Sequence, residues 1–384
     1  MFATSEYWSL AECRARALRA HIVQKADKLE LSPKTDDVGD DHGLSGGAPD
    51  HYLRSHKSLD GLVAWGCRCG ADFINDRIEA NRTPIGLKLY DCRGSVCVVP
   101  YETQLWDEGY AIVRGVYSAA DITAIAAEMD QLKVEGLRHH ASYRDRNLVY
   151  VLRPHPTLGR HLRFIHWAAY ISPVLARYRI DRRQLQLVEP LIGRNLKQIA
   201  NQVTWKTPGS DDTTFGFHQD ARFRRPAAAF RHLATSYVQT FVAVDPHTVE
   251  NGCLKVYPGS HRLGLLDLPA NRSTLDMESD NDVLKQWGLD PDQVVNIILE
   301  PGDVALWLPY TLHGSGPNLS TIDRRSYVNG YVIAENCDRG EWAFRDGEPC
   351  ELGTPVLIQY EELYSRPEPH YIEGPLYPPA TTSR

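Results

Sequence analysis

Beyond Leu185 the chain breaks into a succession of short β-type runs: "KQIANQVTWKT", "TSYVQTFVAVD", "CLKVYPG", "VVNIILEPGDVALWLP" and "RSYVNGYVIAE". Gly, Pro and Asp clusters separate them. Many short strands with such turns fold into a sandwich or a closed barrel, because each strand has one apolar face to bury. The expected fold class is therefore mainly β with flanking helices. Upstream, "YAIVRGV" reads as one more strand. An N-cap region and a long helix near residues 119 to 134 follow it.

One short stretch inside this β region carries chemistry. In "FGFHQDARF", His218 and Asp220 stand at i and i+2, so in an extended strand both point to one face. Such a pair can hold a metal, share a proton or sit in solvent. A third conspicuous histidine, His313, lies in "LPYTLHGSGPN". Two histidines and one carboxylate make a facial triad that leaves metal positions open, a set typical of non-haem Fe(II) oxygenases. A rolled-up double sheet would bring these distant strands together.

The surroundings sharpen the reading. "HQD", "ENGCL", "PGSH", "PGD" and "HGSGPN" followed by an arginine occur in this order between Leu105 and Val332. Over that span the sequence resembles the phytanoyl-CoA dioxygenase family of iron- and 2-oxoglutarate-dependent oxygenases. The resemblance implies a double-stranded β-helix (jelly-roll, cupin-like) core. It implies Fe(II) held by His218, Asp220 and His313. It also implies that Arg324, eleven residues after His313, grips the far carboxylate of 2-oxoglutarate, since a guanidinium fork matches a carboxylate bidentately. Arg325 is the alternative, because neighbouring strand residues face opposite ways. Ser315 would add a hydroxyl to the same carboxylate, and Gln202 and Thr204 share a strand face leading toward the metal. The partners implied are 2-oxoglutarate, O2 and a small-molecule substrate, with hydroxylation of an unactivated C–H bond in specialised metabolism. Halogenation is disfavoured, because the halogenases replace the carboxylate that Asp220 supplies.

Other motifs read as structural. Gly252 and Gly259 shape turns, His261 belongs to a turn rather than to the metal, and Asp303 caps the "PGD" turn. Arg222, Arg224 and Arg225, directly after "HQD", read either as a solvated basic loop or as recognition of an anionic substrate. Phe217, Phe223, Trp205 and Trp307 read either as pocket wall or as core.

Residues 1–103 fall outside the resemblance and form an N-terminal extension; residues 104–384 form the oxygenase domain with a Pro-rich tail. The extension opens with an amphipathic helix over about Tyr7 to Leu29 and a Gly/Asp/Ser-rich loop. Its cysteines Cys67, Cys69, Cys92 and Cys97 read either as a structural zinc site or as four unrelated thiols. A lid and a homodimer contact are the two roles considered for this region. No run is apolar enough to span a bilayer, and the N-terminus lacks the continuous apolar core of a signal peptide, so a cytoplasmic protein with reduced thiols is expected. A net charge of -7 gives nucleic-acid binding no support. Two competing readings remain on the same fold: a non-catalytic small-molecule binding protein, and a metal-dependent hydrolase using the His/Asp/His site.

Overall fold

The computed structural model describes residues 101–209, 214–267, 281–354 and 368–373, and the backbone of three strands between residues 64 and 100. These fall into two compact units, parted at Pro100/Tyr101. In the first unit, β1 (Ala64–Trp65), β2 (Leu87–Cys92) and β3 (Ser95–Pro100) make a sheet of order β1-β3-β2. The expected N-terminal helix, the loop after it and the side chains of Cys67, Cys69, Cys92 and Cys97 lie outside the described residues, and the zinc reading with them.

The second unit is built on two antiparallel sheets. Its strands are β4 (Tyr110–Val113), β5 (Tyr143–Asp145), β6 (Leu148–His155), β7 (Gly159–His166), β8 (Leu196–Lys206), β9 (Phe215–His218) and β10 (Tyr237–Ala243). They continue with β11 (Leu254–Val256), β12 (Val295–Ile297), β13 (Val304–Trp307), β14 (His313–Ser315), β15 (Arg324–Ile333), β16 (Glu341–Arg345), β17 (Glu348–Pro349) and β18 (His370–Tyr371). The larger sheet runs β18-β5-β6-β7-β8-β15-β10-β13-β4, with β16 and β17 beside β8; the smaller runs β12-β11-β14-β9. Each predicted β run became a strand, and "VVNIILEPGDVALWLP" became two, β12 and β13, joined through the Pro301–Gly302 turn. Asp303 anchors that turn by accepting from Glu300 N at 2.8 Å and Gly115 N at 2.8 Å.

Two apolar layers hold the sheets in place. One joins them: Phe241 and Ala305 of the larger sheet pack with Leu254, Val256 and Ile297 of the smaller. The other lies beneath the helix Ala119–Gly136, which buries Ile122, Ile125, Met129 and Leu132, a helical spacing that makes one apolar stripe. Each such side chain contributes about 1.5–3 kcal/mol when fully buried. The helix begins with a capping box. Ser118 Oγ accepts from Asp121 N at 3.3 Å, and the Asp121 carboxylate accepts from Ser118 N at 2.9 Å.

Alternation decides which residues face inward. Arg324, Ser326 and Val328 of β15 sit opposite Lys206, Thr204 and Gln202 of β8. Thr204 and Gln202 in turn pair with Phe164 and His166 of β7. Most of these residues line one cavity of about 540 Å³ between the sheets.

Candidate metal centre and active site

The smaller sheet and the turn after β9 carry the metal-ligating side chains of that cavity. His218 ends β9 and His313 begins β14, and the two are register partners. The strands approach so closely at Gly314 that a Cβ there would lie 2.8 Å from the Phe215 carbonyl oxygen. Asp220 follows in the 3-10 turn after β9. Together His218, Asp220 and His313 are the one group of His, Cys, Asp or Glu side chains among the described residues able to hold a metal, with ligand atoms within 4.8 Å of one another.

The hydrogen bonds aim these atoms. His218 Nδ1 and His313 Nδ1 each lie 2.9 Å from a backbone carbonyl, of Gly216 and Thr311. A carbonyl only accepts, so both Nδ1 atoms carry a proton and the Nε2 atoms are the ones turned toward Asp220. Each Nε2 lies 3.8 Å from Asp220 Oδ1. Asp220 Oδ2 accepts from Trp307 Nε1 at 2.9 Å, which leaves Oδ1 turned to the imidazoles. Burial, followed by the neighbouring His313, pushes the His218 imidazole down to about 3, so it is neutral at ordinary pH. Burial would raise the Asp220 carboxyl, but His313, Arg224, His218 and the indole N–H outweigh it and hold it below its usual range. Two imidazoles and one carboxylate, converging within a metal-sized gap and backed by outer hydrogen bonds, suit a divalent first-row metal.

The arginine pair divides as strand alternation demands. Arg324 turns into the cavity and is 6% exposed. Arg325 turns away and engages Asp245 through Nε at 2.9 Å and Nη2 at 2.8 Å, with Nη1 2.8 Å from Asp130. Arg324 Nη1 donates to His247 Nδ1 at 3.2 Å, while His247 Nε2 donates to the Arg325 carbonyl at 3.2 Å. A neutral imidazole therefore props the guanidinium. Burial lowers Arg324 to about 10, which leaves it charged at neutral pH.

Beside Arg324 lies a residue the sequence reading missed. Lys206 is 6% exposed, donates to Ser315 Oγ at 2.7 Å and also bonds the Gly316 carbonyl. Burial, then Arg324 and Arg163, depress its ammonium well below the ordinary lysine range. Gln202 and Thr204 were singled out on this strand face, and one further step of alternation leads to Lys206. His247, by contrast, has no spacing that marks it. Gln202 and Thr204 do line the cavity, and the Thr204 hydroxyl bonds that of Ser326.

The remaining candidates separate cleanly. Phe223, Trp205 and Trp307 line the cavity, whereas Phe217 packs into the cluster with Tyr257 and Leu312. His261 lies away from the triad, its Nε2 3.1 Å from the Trp106 carbonyl. Gly252 and Gly259 take φ of 69° and 76°, as turn glycines do.

A two-sheet antiparallel protein with a buried His/Asp/His centre at the mouth of two strands defines the class. The chain belongs to the phytanoyl-CoA dioxygenase (PhyH) family, whose sequence profile matches residues 106–326, more than half of it. It is similar to the dioxygenase lolE1 of Epichloe uncinata, at 30% identity over 49% of this chain and 61% of that protein. It is also similar to a probable alpha-ketoglutarate-dependent hypophosphite dioxygenase of Stutzerimonas stutzeri, at 24% identity over 60% of this chain and 76% of that one. The chain thus spans less than two thirds of the length of the first of these relatives. Among solved structures it resembles EctD from S. alaskensis with bound Fe, at 22% identity, covering 65% of this chain and 84% of that one, with a TM-score of 0.48.

Proposed function

We propose that the protein is an Fe(II)- and 2-oxoglutarate-dependent dioxygenase that hydroxylates an unactivated C–H bond of a small metabolite, in specialised metabolism, releasing succinate and CO2. The observation that carries this is the convergence of His218 Nε2, His313 Nε2 and Asp220 Oδ1 in a cavity that also holds Arg324. The dioxygenase names of the similar proteins support it. On this reading residues 104–384 are the oxygenase domain, with a double-stranded β-helix core.

His218, Asp220 and His313 would hold the metal, whose contribution is dioxygen activation coupled to oxidative decarboxylation of 2-oxoglutarate. The chain's part is positioning. Trp307 keeps Asp220 turned so that one carboxylate oxygen serves the metal. Arg324 and Lys206 neutralise the distal carboxylate of the cosubstrate, and Ser315, which accepts from Lys206, gives it a hydroxyl donor. Gln202 and Thr204 form the floor between that carboxylate and the substrate. Phe223 and Phe241 wall the cavity with apolar surface, which excludes water from the reacting C–H bond.

The test is anaerobic. Fe(II) and then 2-oxoglutarate are added to metal-free protein, and the visible spectrum is recorded. A metal-to-ligand charge-transfer band that needs both additions is expected. Tight zinc binding with no band would transfer the site to the hydrolase reading, and no metal binding would leave a small-molecule binding protein.

A further inference from the structure

Of the three arginines after "HQD", Arg224 turns inward and is 8% exposed, while Arg222 bonds the Leu266 carbonyl and Arg225 donates to the Arg222 carbonyl at 3.4 Å. Arg224 Nη2 donates to the Tyr237 hydroxyl at 2.7 Å, and its guanidinium lies 4.9 Å from the centre of that ring. The hydroxyl oxygen accepts from Arg224, so its own proton must point elsewhere. It goes to Gln239 Oε1. Burial pushes the Tyr237 hydroxyl above its usual range, which keeps that proton in place at ordinary pH.

This relay fixes the Gln239 carboxamide. Its oxygen is the end that accepts, so its NH2 is the end left over, and that group makes no hydrogen bond among the described residues. Gln239 is 2% exposed and lines the cavity, as does Phe241 on the same face of β10. Its register partner on β13 is Trp307, whose indole N–H holds Asp220. Its partner on β15 is Gly330, six residues from Arg324, roughly 20 Å of strand at ~3.3 Å per residue. The amide therefore stands on the metal's side of the cavity, away from the Arg324 socket. A Cβ at Gly330 would collide with the Tyr237 hydroxyl and crowd Gln239 Oε1, so the glycine leaves room for the relay. Phe241, Trp307 and Val328, beside it in the lining, offer no side-chain acceptor. Buried N–H groups left unmet are costly, and a neutral donor among apolar walls is matched by a neutral acceptor, which brings no buried charge.

We infer that Gln239 is a specificity-determining residue, its carboxamide NH2 donating to a neutral carbonyl oxygen of the substrate (ketone, ester or amide), with Tyr237 and Arg224 as positioning residues behind it. This deepens the dioxygenase reading and rests on it for the role of the bound molecule. A carbonyl held there orients an adjoining C–H bond relative to the metal ligands.

Proton–nitrogen NMR of the full, metal-free chain reads the glutamine side-chain amides directly. The probes are cyclohexanone and acetophenone, each against its hydrocarbon match, methylenecyclohexane and α-methylstyrene, with benzoate as the anionic probe. One glutamine amide pair is expected to move downfield with a carbonyl probe and not with its match, and to be absent from Gln239→Glu. That variant keeps the acceptor for Tyr237 and removes the donors, so carbonyl affinity relative to the match should fall about tenfold, with 2-oxoglutarate binding held within about twofold. Tyr237→Phe frees the amide to turn and should lower the same ratio about threefold. The inference is overturned if no glutamine pair moves with either carbonyl probe in the wild type, a comparison that needs no variant to fold. It is also overturned if the moving pair survives in Gln239→Glu, if benzoate alone moves it, or if Gln239→Glu loses 2-oxoglutarate instead. Absence of the charge-transfer band with Fe(II) and 2-oxoglutarate would sink the dioxygenase reading alone, because the metal-free spectra still read the donor.

Discussion

The two ends of the cavity are both cationic, yet they are built differently. At one end Arg324 and Lys206 are fixed by neutral partners, the His247 imidazole, the Ser315 hydroxyl and the Gly316 carbonyl. On the proposed function this pair would receive the distal carboxylate of 2-oxoglutarate. At the other end Arg144 is tied to Glu368, next to the short strand β18. A cosubstrate shared by many reactions calls for a rigid socket. On the proposed function, the difference would separate residues that serve the chemistry from those that serve its object.

The most severe break removes what both ends serve. His218→Ala deletes one of three ligands, so metal binding and turnover should fall by about a thousandfold or more, as loss of an essential catalytic group does, while the fold persists. Metal analysis beside a circular dichroism melt checks this; normal 2-oxoglutarate consumption would remove His218 from the site.

Next comes the socket. Arg324→Ala strips a buried carboxylate of its fork, which at about 2–3 kcal/mol for a charge-assisted bond should raise the 2-oxoglutarate requirement roughly 30- to 150-fold. Its neighbour is the control. Arg325→Ala leaves Asp245 without its bidentate partner, so it should cost about 2 kcal/mol of stability in a denaturant titration, with the 2-oxoglutarate requirement unchanged. Interchange of these two outcomes would reverse the strand's facing. Trp307→Phe is milder: it keeps the wall but frees Asp220 Oδ2, and metal affinity should drop about tenfold by equilibrium titration.

Much of this was legible beforehand because strands have a period of two. "HQD" and His313 stood out as a facial triad, the family resemblance favoured Arg324 while alternation required that only one of Arg324 and Arg325 face inward, and the short β runs beyond Leu185 announced the sheets. Asp220, expected on the strand face of His218, instead lies in the 3-10 turn after β9. What stayed hidden depended on tertiary contacts. The strands β5, β6 and β7 lie in "YRDRNLVYVLRPHPTLGRHLRFIH", where arginines and histidines interrupt the apolar alternation because that face lines a polar cavity rather than a core. His247 acts through a bond to a residue far along the chain. The fate of Arg222, Arg224 and Arg225 was undecidable from a run of like residues, since a 3-10 turn, not a strand, sets their directions.

The smallest expected effect sharpens the contrast most, because it tests whether the socket's charge is held in reserve. In the free protein, burial and the nearby Arg324 and Arg163 charges depress Lys206 well below its ordinary value. A bound dianion favours the ammonium and returns the value upward. Above the depressed value, binding must therefore take up a proton, so 2-oxoglutarate affinity should weaken as pH rises from the free-state value toward that of the complex. Lys206→Met removes the titrating group; it should weaken binding about tenfold, consistent with one lost charged hydrogen bond, and flatten the pH dependence across that window. Calorimetry in two buffers of different ionisation heat reads the proton uptake directly. If uptake survives in Lys206→Met, the proton belongs to another group and the socket rests on Arg324 alone.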